Sequence, residues 1–181
     1  MRPRKQRIVA GEHCLIDIDK IQGGWASSEE ALNDLFRATT THSDVLMLVF
    51  DVGNRETLVK LVNNYPAIQR FLDSADRCRH VVIVGAKADI PVEEREISVE
   101  KGMQVAAKVG AMYRECSAKE RIGVEELVDD VAKVVLAERE RLRVLALKDG
   151  NEDLTDVSGK YGDRFWQRFQ GWLKLESARR K

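Results

Sequence analysis

Along residues 44–139, continuous apolar runs alternate with segments in which apolar residues recur at helical spacing. Together the two patterns predict a parallel sheet covered by helices. Two continuous apolar runs, DVLMLVFDV at 44–52 and HVVIVGA at 80–86, are typical of strands buried on both faces. A shorter run, AMYREC at 111–116, predicts a third strand. Between and after these runs, apolar residues recur at helical spacing. This alternation predicts the α/β class with a doubly wound, mostly parallel sheet.

Three helices are predicted around these strands. The first, over residues 55–72, contains Pro66, which should kink or break it. The second begins after Ser98, a candidate N-cap, and ends at Gly110, and the third begins near Gly123. Apolar residues define the inner faces of the first and third helices: Leu58, Leu61, Val62, Ile68 and Phe71 in one, and Val124, Leu127, Val128, Val131 and Val135 in the other.

The two ends of the chain have different patterns. RIVAGEHCLIDI at 7–18 has two short apolar runs around Gly11, which predicts a β-hairpin or one bent strand. A surface helix is predicted over EALNDLF at 30–36. We assign residues 1–147 to one domain, 148–162 to a polar linker and 163–181 to a basic aromatic amphipathic helix with Phe165, Phe169 and Trp172 on one face.

Composition narrows the class of protein. The 30 basic residues balance the 30 acidic ones, so the net charge of +0 gives no reason to expect a nucleic-acid partner. The three cysteines are scattered, which argues against a disulfide scaffold or a structural zinc site. We expect no signal peptide and no membrane span, and therefore a cytoplasmic protein or one peripheral to a membrane. The C-terminal helix either lies against anionic lipid or packs on protein.

The chemistry lies in two short motifs that directly follow predicted strands. Lys87 and Asp89 follow the second strand, and Ser117, Ala118 and Lys119 follow the third, at the edge where open α/β sheets bind ligands. An aspartate can accept two hydrogen bonds from the ring N–H and the amine of guanine. The lysine stems can flank the base. The backbone N–H near Ala118 can donate to the guanine carbonyl while Ser117 braces the turn.

These motifs, after these strands, resemble those of the Ras-superfamily small GTPases over residues 44–139. LMLVFDV is similar to the strand before the third helix of that family, GAKAD to its NKxD box and ECSAK to its SAK box. The resemblance implies a P-loop GTPase fold, GTP or GDP as ligand, and protein effectors as partners. It implies nucleotide-binding roles for the five residues named above.

The sequence departs from the family pattern in two respects. Ala86 stands where NKxD has asparagine, and no segment matches G-x-x-x-x-G-K-[ST], the loop that cradles the phosphates. We therefore expect weakened nucleotide binding and no efficient hydrolysis, and we assign no catalytic or metal-binding residue. Mg²⁺ is expected only if a phosphate loop lies upstream.

Two alignments of the N-terminal part remain open. In the first, KQRIVAGEHCLIDID is the second and third strands of the family, and the chain starts after its first strand and phosphate loop, as in a truncated gene model or splice form. In the second, CLIDI is the first strand, EEALNDLF is the first helix and the phosphate loop has degenerated, as in a pseudo-GTPase.

Three functions follow as hypotheses. The chain is a nucleotide switch in signalling or trafficking, a nucleotide-free scaffold for protein partners, or a peripheral membrane adaptor that acts through its C-terminal helix. Guanine-nucleotide binding tests the first two, and liposome binding that depends on residues 163–181 tests the third.

Overall fold

A computed structural model of the chain describes residues 4–19, 43–74 and 80–148. The predicted surface helix at 30–36, the linker beyond Lys148 and the C-terminal helix with Phe165, Phe169 and Trp172 lie outside those residues. The chain divides into two compact units after Ala137, and everything described below as sheet, hairpin or site belongs to the first unit.

The N-terminal segment forms a hairpin of two antiparallel strands, β1 (Arg4–Val9) and β2 (Glu12–Asp17). Its turn consists of Ala10 and Gly11, whose φ angles of 52° and 85° are those of the tight turn that suits twisted strands. Of the two predicted structures for this segment, the β-hairpin is confirmed and the single bent strand is wrong.

A separate parallel sheet contains β3 (Val45–Asp51), β4 (His80–Ala86) and β5 (Met112–Cys116), in that order. Its register pairs Asp51 with Ala86 and Ala86 with Cys116. The three strands thus end side by side. The sheet and its helices confirm the predicted α/β class.

The strands are connected by α1 (Arg55–Ser74), a short 3-10 turn (Val92–Glu94) and α2 (Val99–Lys108), and β5 is followed by α3 (Val124–Lys148). Pro66 was predicted to kink or break the first helix, and the break is wrong, because α1 continues through Pro66. Leu61 and Ile68 lie on either side of Pro66 and are 1% and 0% exposed. Their burial holds both halves of the helix on the sheet, against a proline penalty of about 3 kcal/mol.

Both predicted ends of α2 are confirmed. The Ser98 Oγ accepts a hydrogen bond from the Lys101 N–H at 3.3 Å, as an N-cap does. After the helix, Gly110 has a φ of 67°, its N–H donates to Ala107 O, and the next N–H, of Ala111, donates to Ala106 O. This is the Schellman arrangement, in which a left-handed glycine lets the last carbonyls be satisfied.

The core lies between the sheet and helices α1 and α2. It contains Leu46, Leu48, Phe50, Val52, Leu58, Leu61, Ile68, Val81, Ile83, Ile97, Ala106 and Ala111. As predicted, β4 is buried on both faces. For β3 the prediction is only half right, because Leu46, Leu48 and Phe50 are buried whereas Val49, on the opposite face, is 60% exposed. Within the described sheet β3 is an edge strand and β4 is central, which accounts for the difference.

Most of the predicted inner faces of the helices are confirmed. Leu58, Leu61, Ile68 and Leu127 are buried, and Val124, Val128, Val131 and Val135 are half-buried. Val62 is an exception at 44% exposure, and the Phe71 side chain lies outside the described part of the chain. None of the described helices has the length and apolar character needed to cross a membrane.

Candidate nucleotide-binding site

The five predicted site residues lie together at the carboxyl edge of the sheet. The strand register places the ends of β4 and β5 next to each other, so the loop after Ala86 runs beside the loop after Cys116. A backbone hydrogen bond of 3.1 Å from the Ala88 N–H to Cys116 O joins the two loops. The geometry thus brings Lys87, Asp89, Ser117, Ala118 and Lys119 into one cluster.

A direct hydrogen bond connects the two motifs. The Ser117 hydroxyl, which is fully buried, donates to Asp89 Oδ1 at 2.6 Å and accepts from the Glu120 N–H at 3.1 Å. The hydrogen bond from Ser117 lowers the pKa of Asp89; partial loss of hydration opposes this effect, and the Lys119 cation assists it. Asp89 is therefore a carboxylate at neutral pH, and the Ser117 hydroxyl holds it in place.

The carboxylate keeps capacity for a ligand. A carboxylate oxygen accepts more than one hydrogen bond, and Asp89 Oδ2 is 3.7 Å from Lys119 Nζ, an ion-pair distance longer than a hydrogen bond. Beside it, the exposed Ala118 has a backbone N–H that donates to no other described residue. An acceptor next to an unused donor has the hydrogen-bonding pattern that one edge of guanine, with its amine, ring N–H and carbonyl, would require.

Lys87 has a partner that sequence reasoning missed. Its Nζ lies 2.5 Å from Asp51 Oδ2, while Asp51 Oδ1 accepts the Gly53 N–H at 2.9 Å. The hydrogen bond and the charge of Asp51 raise the pKa of Lys87. The lysine therefore links the ends of β3 and β4, with its side chain still 64% exposed. A parallel register of the first two predicted strands would have pointed to Asp51, since Asp51 ends the first strand and Lys87 directly follows the second.

Arg95 also holds the loop that carries Asp89. Arg95 donates to Ala88 O at 2.6 Å and to Ile90 O at 2.8 Å, and it forms an ion pair of 2.9 Å with Glu115. The Tyr113 hydroxyl donates to the other oxygen of Glu115 at 2.6 Å. Glu115 belongs to the ECSAK motif and could have been suspected. Arg95 is in an irregular segment and gives no signal in the sequence.

A glycine is required where the second motif turns into α3. The Ser117 and Ile122 backbones exchange hydrogen bonds of 2.8 and 3.0 Å, which closes a tight turn. Gly123 follows with a φ of 69°, and a Cβ at that position would lie 2.6 Å from Glu115 O. Any side chain there would push the turn away from β5 and so displace Ser117.

No cluster of three or more His, Cys, Asp or Glu side chains suited to a metal ion occurs within residues 4–19, 43–74 and 80–148. The half-buried Cys116, next to the site, is a free thiol whose pKa is raised by burial and by the charge of Glu115. A raised pKa disfavours the thiolate, so Cys116 is not an activated nucleophile.

Comparison with known proteins agrees with the motifs. The sequence model of the Ras family matches residues 26–137. Ras-like protein 1 of Saccharomyces cerevisiae is 30% identical over 132 residues, which cover 73% of this chain and 40% of that protein. Protein ras-2 of Neurospora crassa is 24% identical over 155 residues, covering 76% of this chain and 65% of that protein. The chain therefore spans less than two thirds of the length of either relative.

Proposed function

The chain belongs to the Ras family, and from this premise we propose that it recognises the guanine base of GTP or GDP at the carboxyl edge of its sheet. The observation that carries the proposal is the 2.6 Å hydrogen bond between Ser117 and Asp89, which fixes a carboxylate beside the Ala118 N–H. Fixing an acceptor before the ligand arrives reduces the ordering cost of binding.

Each residue of the site has a role in this proposal. Asp89 accepts from the ring N–H and the exocyclic amine of guanine, and the Ala118 N–H donates to the carbonyl. Adenine has neither that ring proton nor that carbonyl, so it would leave the same groups unpaired. The stems of Lys87 and Lys119 flank the base. A site of this kind discriminates between the bases, because bound adenine would cover these polar groups without giving them hydrogen-bond partners.

Hydrolysis is not part of the proposal. Bound nucleotide would bring the negative charge of its phosphates, which the phosphate loop and Mg²⁺ neutralise in this family. Neither the glycines nor the lysines of the sequence form that loop motif. Ala86 further removes a side chain that could hold the base loop. We therefore propose weak nucleotide binding without efficient turnover, in a module that acts through protein partners.

The test is calorimetric titration of the full chain with GDP and with ADP. We expect GDP to bind at least about tenfold more tightly than ADP, as one bidentate contact provides. In Asp89→Asn the side chain presents an N–H₂ donor. GDP affinity should fall about tenfold or more, and affinity for xanthosine diphosphate, which has a carbonyl in place of the amine, should rise.

A matched control is Glu93→Gln, the same charge change on the exposed 3-10 turn, which should leave the affinity for GDP unchanged. Equal affinity for GDP and ADP, or an Asp89→Asn variant that binds GDP as before, would contradict base recognition by Asp89.

A nucleotide-free scaffold is the second candidate. It is favoured by Ala86 and by the Lys87–Asp51 ion pair, which connects two strand ends by a contact within the protein. In the same titration this function predicts no heat from GDP at millimolar concentration. It also predicts that Asp89→Asn changes stability and leaves partner binding intact.

A further inference from the structure

A second concave surface lies between α1 and α2. This groove encloses about 690 Å³ and is formed by one side of α1 from Arg55 to Pro66 and by residues 95–109. None of the five proposed base-binding residues lines it. The groove is therefore a different surface from the proposed base site, although Arg95 contributes to both, since it lines the groove and donates to Ala88 O and Ile90 O in the Asp89 loop.

Contacts at both ends keep the two helices side by side. Near the start of α1, the Arg55 N–H donates to Glu96 Oε2 at 2.7 Å. Farther along α1, the Tyr65 hydroxyl donates to Val109 O at 3.2 Å. The helices therefore run in the same direction, and the groove follows them. At a rise of about 1.5 Å per residue, Arg55 to Pro66 extend over about 16 Å, the length of three helical turns.

The groove is apolar along its centre. Leu58, Leu61 and Ile97 are buried in its floor. Val59 and Val62 stand above them at 46% and 44% exposure. The exposure of Val62, which its helical spacing had placed in the core, thus results from its position on the wall of an open groove. Apolar side chains grouped beside a concavity mark an interaction surface.

The rim is basic, although the whole chain is neutral. Arg55, Lys101 and Lys108 are exposed, and the side chain of none of them forms an ion pair with another described residue. The other two charged lining residues have partners: Arg95 is paired with Glu115, and Glu96 caps the Arg55 N–H. Three unpaired cations around an apolar floor favour a ligand with an apolar stripe flanked by carboxylates.

We propose that this groove is a docking site for an acidic amphipathic helix of a partner protein. Such a helix would place apolar residues at positions i, i+3 or i+4, and i+7 over Val59, Val62 and the floor. Its Asp or Glu residues would lie against Lys101, Lys108 and Arg55. Both walls of the groove are helices whose backbone groups are already hydrogen-bonded, so the groove offers no strand edge for an extended peptide, and a helix of about three turns matches its length.

The test uses a display library of random 14-residue peptides selected against the full chain. We expect the enriched peptides to carry helical apolar spacing flanked by Asp or Glu. Synthetic copies should bind at least tenfold more weakly to a Lys101→Glu, Lys108→Glu double variant. They should also bind more weakly to Val62→Ser, which removes apolar surface without changing charge.

The control is a Lys60→Glu, Lys133→Glu double variant, which makes the same charge change on exposed helical positions outside the groove. Affinity for this control should change less than threefold, and circular dichroism should show each variant folded. A library without enrichment, enriched peptides that are not acidic, or equal loss of affinity in both double variants would overturn the proposal.

Discussion

The sheet and the N-terminal hairpin use apolar residues in opposite ways. In the sheet, residues such as Phe50 and Ile83 are 2% and 0% exposed and lie in one continuous core. In the hairpin, Ile8 and Leu15 are 66% and 59% exposed, and of its described apolar residues only Val9 is buried. Both regions are regular β-structure, so secondary structure alone does not show which part of the chain carries the stability.

Ion pairs attach the hairpin to α3. Arg7 pairs with Glu125 and, at 3.2 Å, with Asp129, while Lys5 Nζ lies 3.0 Å from Glu125. These pairs reach from β1 to the first turns of α3. Exposed ion pairs contribute between 0 and about 1 kcal/mol each, whereas a buried isoleucine contributes several times more. We infer that the sheet unfolds as a cooperative core and that the hairpin can separate from α3 at much lower cost.

The largest expected effect on stability comes from a substitution in the core of the sheet. Ile83→Ala should lower the free energy of unfolding by about 2–5 kcal/mol, because it leaves a cavity in β4 that is enclosed on both faces. Urea denaturation followed by circular dichroism measures it. The matched control is Ile8→Ala in the hairpin, where the same truncation should change that free energy by about 0.5 kcal/mol or less. Similar losses at both positions would mean that the hairpin is part of the cooperative core.

Features that depend on local sequence patterns could be predicted, whereas contacts between distant segments could not. The strands at 45–51 and 80–86, the N-cap Ser98, and Gly110 depend on local patterns, and all could be predicted. The grouping of Lys87 and Asp89 with Ser117 follows from two motifs after parallel strands. Contacts between distant segments could not be predicted, because nothing near Arg95 or Arg7 in the sequence specifies Glu115 or Glu125 as a partner. Continuation of α1 through Pro66 likewise depends on tertiary packing.

A smaller effect tests the attachment of the hairpin. Arg7→Gln should change the free energy of global unfolding by about 1 kcal/mol or less, because the pairs it removes are partly exposed. Amide hydrogen exchange in β1 and β2 should become faster, while exchange in β4 stays slow. Lys5→Gln is the milder comparison, since Lys5 is 60% exposed and, among the residues that the structure describes, pairs only with Glu125. Unchanged hairpin exchange in Arg7→Gln would show that the ion pairs do not hold it.

The smallest effect is a pH dependence confined to the same contact. Hydrogen bonding by Lys5, with the charge of Arg7, lowers the pKa of Glu125 below its ordinary value of 4.5. A lowered pKa in the folded state stabilises the attachment above about pH 4.5, and this stabilisation is lost as the pH falls through the lowered value. Hairpin amides should therefore lose protection on acidification from pH 6 to pH 3 before those of β4 do.

Glu125→Gln isolates the contribution of this carboxylate. The variant lacks the charge at every pH, so the part of the hairpin's acid sensitivity that comes from Glu125 should disappear. If the wild type and Glu125→Gln lose hairpin protection over the same pH range and to the same extent, Glu125 does not hold the hairpin. Asp129 would then be the main partner of Arg7, and the attachment would depend on the second turn of α3 instead of the first.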